Sequence, residues 1–298
     1  MRLGVATQAP SALLFVAIAE DFFADQGLDV AVEHYLSGSL ALAGLLDGEV
    51  DAVGVADIPI VLAAFERSDF AVVATIASAR DEPAIVAHRE RGIERPSDLR
   101  GKRIGTQKGS AVHFFLHRFL IHHGLLERDV EVMFLPPDEL PRALSEGRID
   151  AFCMREPFVG EALARLGDRA VVFDEEGMYL RPEYLVVSST LLEEHPRAVE
   201  RMLAGLVGAE RFVRRHPDRA RQVVAQASGF DEQLLAAEWD RLELDVHLDQ
   251  WLFSSMEYQA RWAVRVGLVE SSATPNYREV LRIEPLEAVK PEAVTVIR

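Results

Sequence analysis

Residues 42–63 read LAGLLDGEVDAVGVADIPIVLA, and residues 140–164 read LPRALSEGRIDAFCMREPFVGEALA. Both carry an apolar helix into a turn with glycine (Gly48, Gly147). Each then has an acidic residue and an alanine (Asp51-Ala52, Asp150-Ala151), and a proline (Pro59, Pro157) that opens another helix. One phrase used twice, about 100 residues apart, implies two units of a single construction.

Outward from the first phrase, RLGVAT predicts a short strand. QAPSALLFVAIAEDFFADQG places Pro and Ser before a helix whose apolar positions include Leu14, Phe15, Ile18, Ala19 and Phe22, with Gly27 at its end. LDVAVEHYL alternates as a half-buried strand does. SGSLALAGLLDG predicts a capped helix, VDAVGVA a strand, DIPIVLAAFERS a helix and FAVVATIA a strand. The β-α-β-α-β order predicts an α/β fold with a mostly parallel sheet flanked by helices. The pattern then restarts. AIVAHR, the stretch after RPSDLRGKRIG, DVEVMFL, IDAFCM and AVVFD are strands, and GSAVHFFLHRFLIHHG, LPRALSEG and EPFVGEALARLG are the helices between them. After YLVVSS only helices are predicted, at 196–215, 217–227, 231–241 and 248–267. Trp239, Trp251 and Trp262 all fall there and are expected to anchor a core.

The totals agree with two units. A chain of 298 residues corresponds to about two domains and buries roughly 75% of its unfolded surface. A formal charge of −16 with scattered basic residues lacks the footprint of a nucleic-acid binder and disfavours an anionic membrane surface. Cys153 is the single cysteine, which excludes an internal disulfide and any multi-cysteine metal site; it is expected to fill core space. No run reaches the ~20 apolar residues of a membrane span, since SALLFVAIA is broken by Glu20 and Asp21. No secretory segment is visible at the start, so either a cytosolic protein or a chain trimmed at its mature start fits.

In open parallel sheets, ligands bind beyond the carboxyl ends of strands, where helix N-termini present free N–H groups. The residues in that position are Gln8, Ala9, Pro10 and Ser11, then Ser37, Gly38 and Ser39, then Ala56 and Asp57, then Ser78, Ala79 and Arg80. The second unit offers Gln107, Lys108, Gly109, Ser110 and Ala111, and then Arg155 and Glu156. Taken singly, the serines are equally well explained as helix caps and the cations as solvated surface charge. The case for a site rests on their coincidence at the strand ends of two repeated units.

Sharper motifs fail. GTQKGS lacks the order of a phosphate-binding loop. His113 and His117, with His122 and His123 nearby, lack an HExxH pattern, a carboxylate at fixed spacing or a cysteine ligand; a surface or partly buried helix face is expected, and no metal. No G-x-S-x-G elbow is present, and Cys153 lies in a predicted buried strand. No catalytic residue and no cofactor are expected. The run VRRHPDRAR reads as a solvated face.

With these pieces in place, the chain resembles the substrate-binding proteins of the nitrate/sulfonate/taurine/thiamine-precursor class that serve ABC importers. The phrases that carry the resemblance are P-SALLFVAIAEDFFADQGLDV, SGSLALAGLLDGEVDA, IERPSDLRGKRIGTQKGSAVHFFL, ALSEGRIDAFCMREP and DQWLFSSMEYQARWAVRVGLV, in that order over almost the whole length. The resemblance implies a type II periplasmic-binding-protein fold. Lobe one would comprise 1–84 and 189–298, lobe two 89–183, with a two-strand hinge near 84–88 and 184–188. A ligand would lie in the cleft between lobes, held by Gln8, Pro10, Ser11, Ser37, Gly38, Ser39, Asp57, Arg80, Lys108, Gly109, Ser110, Ala111, Arg155 and Glu156. Relatives often carry an aromatic before the Glu-Pro, where this chain has Arg155, so a stacking ligand is not implied. Arg155, Arg80 and Lys108 favour an acidic group on the ligand, and Asp57 and Glu156 tolerate an amine or hydroxyl. A small organic anion or zwitterion follows.

The resemblance further implies an extracytoplasmic monomer, its signal segment removed, with an ABC permease as partner and no nucleic acid. A ligand-sensing domain of a membrane signalling protein is the second reading, and a kinase or cyclase encoded after residue 298 would mark it. An enzyme is the third, because a related branch makes a thiamine pyrimidine; its cysteine-rich stretch is missing here.

Overall fold

The repeated acidic residue performs the same task twice. In the computed structural model, which describes residues 1–80, 83–175, 177–229, 232–271 and 273–297, Asp51 accepts hydrogen bonds from the Arg2 backbone N–H (2.7 Å) and guanidinium (2.8 Å). Asp150 accepts them from the Arg103 backbone N–H (3.0 Å) and guanidinium (2.7 Å). The N–H of each aspartate returns a bond of 2.9 Å to the carbonyl of its arginine. Each aspartate thereby ties the start of its own strand to the first residue of the neighbouring parallel strand. Just upstream, Gly48 (φ 75°) and Gly147 (φ 72°) adopt the left-handed conformation that lets the helix stop, which a Cβ would penalise.

Among the described residues the strands in chain order are β1 (Arg2–Ala6), β2 (Ala31–Tyr35), β3 (Ala52–Ala56), β4 (Phe70–Ala79), β5 (Ala84–His88), β6 (Arg103–Thr106), β7 (Glu131–Phe134), β8 (Ala151–Met154), β9 (Ala170–Phe173), β10 (Arg181–Ser188) and β11 (Leu242–Glu243). The chain divides into two compact units. Unit one is Met1–Ala79 with Arg181–Arg298, and unit two is Arg80–Leu180.

Unit one contains a six-stranded sheet in the order β11-β4-β10-β3-β1-β2. Strand β1 is parallel to β2 and β3, and β10 runs antiparallel between β3 and β4. Unit two contains a five-stranded sheet in the order β7-β6-β8-β5-β9, with β6 parallel to β7 and β8, and β5 antiparallel between β8 and β9. Read from the other edge, the second sheet repeats the first: β2, β1, β3, β10 and β4 correspond to β7, β6, β8, β5 and β9. In each sheet the antiparallel position is taken by the strand that the chain forms just after entering that unit.

This placement moves the expected boundaries. Segments 84–88 and 184–188, read from the sequence as connectors between 1–84, 89–183 and 189–298, are interior strands of their own sheets. The chain passes between units at Ala79–Arg80 and Leu180–Arg181 instead. The physical reason is visible in AIVAH and YLVV, which are apolar throughout and buried throughout, as strands paired on both sides are.

Helix Ala12–Ala19 is buried on every side as far as Ala17, because unit one's sheet covers one face while Pro196–Arg215 and Pro217–Ser228 cover others. Helix Pro196–Arg215 offers a notch for Phe22 and Phe23. A Cβ on Gly205 would come within 2.7 Å of Phe23 Cδ1, and one on Gly208 within 2.8 Å of Phe22 Cδ1. The remaining helices of unit one include Glu232–Trp239 and Trp251–Arg265; Asp231, expected at the start of the former, lies outside the described residues. Trp239 and Trp262 are buried as expected, but Trp251 is 46% exposed. It precedes the buried stripe Leu252, Met256, Gln259, Ala260 and Ala263, so it falls off the face that packs. Unit two's core is formed by Ile85, Val86, Ile104, Phe114, Phe115, Phe119, Ile149 and Phe152, all buried. Among the described residues no helix is long and apolar enough to cross a membrane.

Candidate functional site

Because β1 and β3 are parallel, they finish at one edge of unit one's sheet, and the antiparallel β10 begins there. Glu183 pairs with Ala56, and Arg181 with Ala79. This edge gathers a polar cluster. Gln8 Nε2 donates to Glu183 Oε1 at 2.7 Å, and the Arg181 guanidinium lies 3.6 Å from Glu183 Oε2. Asp57 accepts from the Ile58 N–H at 2.8 Å and from Gln259 Nε2, which also lies 3.3 Å from Ser255 Oγ. Ser11, Asp57, Glu183 and Gln259 are each 0% exposed. Buried charges are costly unless paired or hydrogen-bonded; Glu183 has Arg181 and Gln8, and Asp57 accepts from a backbone N–H and an amide.

Some polar atoms in it lack a hydrogen-bond partner. Ser11 Oγ and Gln259 Oε1 have no hydrogen-bond partner among the described residues, a condition rare enough to require a reason. Ser11 does not cap the helix it precedes. Beside Asp57, Tyr184 is fully enclosed, and burial, followed by the negative charges of Asp57 and Asp249, holds its phenol well above the ordinary value.

The other candidates of unit one have local roles. Ser37 caps helix Gly38–Leu46 by accepting from the Leu40 N–H at 3.3 Å. Gly38 is where that helix approaches β3, since a Cβ would sit 3.3 Å from Val55 Cα. Ser39 is exposed, and Pro10 is buried in the short 3-10 turn Ala9–Ser11.

In unit two, Ser110 accepts from the His113 N–H (3.4 Å) and donates to the Gln107 carbonyl (2.7 Å), capping helix Ala111–His122. Gly109 takes a positive φ of 62° in the turn before it. Glu156 accepts from the Gly160 N–H at 2.9 Å. Lys108 is exposed, its Nζ 5.7 Å from the Phe134 ring centroid. Arg155 is half-buried at the end of β8, and Arg80 is exposed just past β4.

His113 and His117 are corrected. Expected on a surface or partly buried helix face, they are 0% and 3% exposed, and a carboxylate serves both: Glu127 Oε2 lies 3.3 Å from His113 Nε2, and Glu127 Oε1 lies 2.9 Å from His117 Nδ1. Spacing did not betray Glu127, because it arrives from the turn after the helix.

Sequence reasoning missed Arg181, Glu183 and Gln259. A signal was available for each: two ionisable residues inside the apolar run RPEYLVVSS, and a glutamine on the apolar stripe of an amphipathic helix. At the opposite end of unit one's strands lies an open hollow of about 780 Å³, lined by Arg2, Asp51, Ser188 and His195 among others. There Arg2 and Asp51 are already engaged with each other, whereas the β1/β3 edge holds buried polar atoms without a hydrogen-bond partner, so chemistry favours that edge.

Two α/β units, each with one antiparallel strand contributed across the chain's crossings, define the periplasmic-binding-protein fold. The structure superimposes on the periplasmic aliphatic sulphonate binding protein SsuA from Escherichia coli with a TM-score of 0.78 at 19% identity, over 95% of this chain and 91% of that one. The chain belongs to the NMT1/THI5-like family, whose model matches residues 8–220. It is 27% identical to a putative aliphatic sulfonates-binding protein of Bacillus subtilis over 216 residues, 72% of this chain and 65% of the relative. It is also 27% identical to the taurine-binding periplasmic protein of Escherichia coli over 221 residues, 73% and 68% of the two chains. The match with the Bacillus protein thus spans just under two thirds of that relative's length.

Proposed function

We propose that this protein is an extracytoplasmic solute-binding protein that delivers a small organic anion or zwitterion, of the sulfonate type, to an ABC importer. The observation that carries the reading is the buried edge of unit one, where Ser11 Oγ and Gln259 Oε1 stand unsatisfied beside Asp57 and Glu183. Family membership and the names of the sulfonate- and taurine-binding relatives support it. Carboxylates at that edge suit a ligand's amine or hydroxyl, and Arg80, just past β4, and Lys108 and Arg155, past strand ends of unit two, have the charge that suits an acid group. Micromolar affinity requires about 8 kcal/mol, and charge-assisted hydrogen bonds contribute roughly 1.5–3 kcal/mol each, so several must act together.

The test is calorimetry and thermal denaturation with taurine, longer alkanesulfonates and matched carboxylates. Saturable one-to-one binding is expected, with a stabilisation of about 2.7 kcal/mol at ligand ~100-fold above Kd. Ser11→Ala and Arg155→Ala each weaken binding about tenfold without lowering the ligand-free melting point, a loss near 1.4 kcal/mol. If no compound in the panel produces heat or raises Tm, the reading fails. If binding occurs but neither variant alters it, the assignment of the site fails while the solute-binding function stands.

A further inference from the structure

We propose that His122, His123 and Glu175 of unit two form a site for a divalent transition-metal ion of borderline softness, zinc being the probe of choice. His122 is the last residue of helix Ala111–His122 and His123 caps it. Adjacent residues on a helix ordinarily diverge by about 100°, but here the two rings meet edge to face with centroids 5.0 Å apart. Both present Nε2 to one carboxylate: His123 Nε2 lies 2.6 Å from Glu175 Oε1, and His122 Nε2 lies 3.5 Å from Glu175 Oε2. One ligand atom from each of the three lies within 4.8 Å of the others.

Those separations suit a metal. With bonds of about 2.0–2.2 Å, two tetrahedral ligands stand roughly 3.3 Å apart. The His122 pair already has that spacing, and the His123 pair reaches it when a metal replaces the shared proton. Two imidazoles and a carboxylate make three protein ligands and leave the fourth position to solvent, a donor set that selects zinc, nickel, cobalt or copper over calcium and magnesium.

Aromatic packing backs the site. The His123 ring packs on Phe119 at 4.5 Å between centroids, and Phe119 packs on Phe173, the last residue of β9. Exposure of 62% for His122, 21% for His123 and 30% for Glu175 leaves an open approach for the ion.

Two other groupings do not converge in this way. Glu127 engages His113 and His117 through separate oxygens, both rings being buried. Asp245 and Asp249 lie at opposite nitrogens of His247, so their oxygens point at different sides of the ring. A metal at the His122 site ties the helix end to Glu175, just past β9.

The experiment is titration of Zn²⁺ into the full, untagged, chelator-treated chain, followed by calorimetry and by X-ray absorption of the loaded protein. Expected are one high-affinity site with Kd of about 10 μM or tighter, nitrogen-and-oxygen coordination, and no response to Mg²⁺. His122→Ala and Glu175→Gln each weaken Zn²⁺ binding at least about tenfold. His122 is largely exposed, so its replacement leaves the apo melting point unchanged and keeps the test independent of folding. Failure of the native chain to bind Zn²⁺ at about 100 μM overturns the proposal. Retention of native affinity by both variants overturns it too, since the ion would then sit elsewhere.

Discussion

Ser11, Ser37 and Ser110 look alike in the sequence, each standing just before a helix after a predicted strand. Their backbones separate them. Ser37 (φ −155°, ψ 157°) and Ser110 (φ −118°, ψ 170°) have the extended geometry from which an N-cap side chain reaches back to the helix, and both do so. Ser11 (φ −77°, ψ 7°) already belongs to the turn that Pro10 starts, so its hydroxyl cannot reach a helical N–H and is left for another partner. Spacing reveals where a serine falls; it does not reveal the φ and ψ that decide its use. Cys153 was legible at this scale, because a lone cysteine in a wholly apolar run has few places to go but the core. It is buried in β8, its thiol donating to the Val112 carbonyl, and burial pushes that thiol far above its ordinary value. The thiolate is the reactive form. The folded protein should therefore leave Cys153 unlabelled by a thiol reagent at neutral pH over hours and be labelled stoichiometrically in denaturant, with mass spectrometry as the readout; rapid labelling of the native chain contradicts the burial described.

At the scale of elements, the repeated phrase was legible and its mechanism was not. Helix, glycine turn and strand could be read from LLDGEVDA and ALSEGRIDA, but the partners Arg2 and Arg103 lie 49 and 47 residues away and no local pattern points to them. The directions of β5 and β10 were likewise hidden, because strands buried on both faces show no alternation from which pairing can be inferred. The clamps make a pH prediction. For Asp51 and Asp150, burial pushes the carboxyl up, but hydrogen bonds from the arginine side chain and backbone outweigh it and leave both below the ordinary value. A carboxylate depressed in the folded state contributes stability above its unfolded pKa, about 3.9, and loses it as pH falls through the lower folded value. Asp150→Asn should lower the urea midpoint at pH 7, by the equivalent of about 1–3 kcal/mol for a backbone N–H left poorly satisfied. The gap from the native chain should narrow as the pH drops below about 4. Asp51→Asn should behave alike with a smaller gap, since Asp51 is the more exposed of the two. A difference independent of pH would mean that the charge plays no part.

At the scale of the whole molecule, the two units differ in how the chain builds them, although their sheets share one order. Unit two is a single stretch, 80–180, that contains every strand of its sheet from β5 to β9. Unit one is assembled from both ends of the chain. Within 1–79, β4 has no strand to pair with, since its ladders are with β10 and β11, and β3 has an open edge where β10 belongs. The ten residues of β4 are all buried in the folded protein, so without β10 they form a long apolar edge of the kind that aggregates. Fragment 80–180 alone should therefore be soluble and unfold cooperatively, as a chain of about 100 residues with its own core can. Fragment 1–79 should be insoluble or unfolded, and co-expression with 181–298 should restore it by supplying β10. Circular dichroism melts and amide dispersion in NMR spectra report each outcome. A disordered 80–180 fragment would show that unit two draws its stability from unit one and not from its own sheet, and a well-folded 1–79 would show that β4 finds a partner within the first 79 residues.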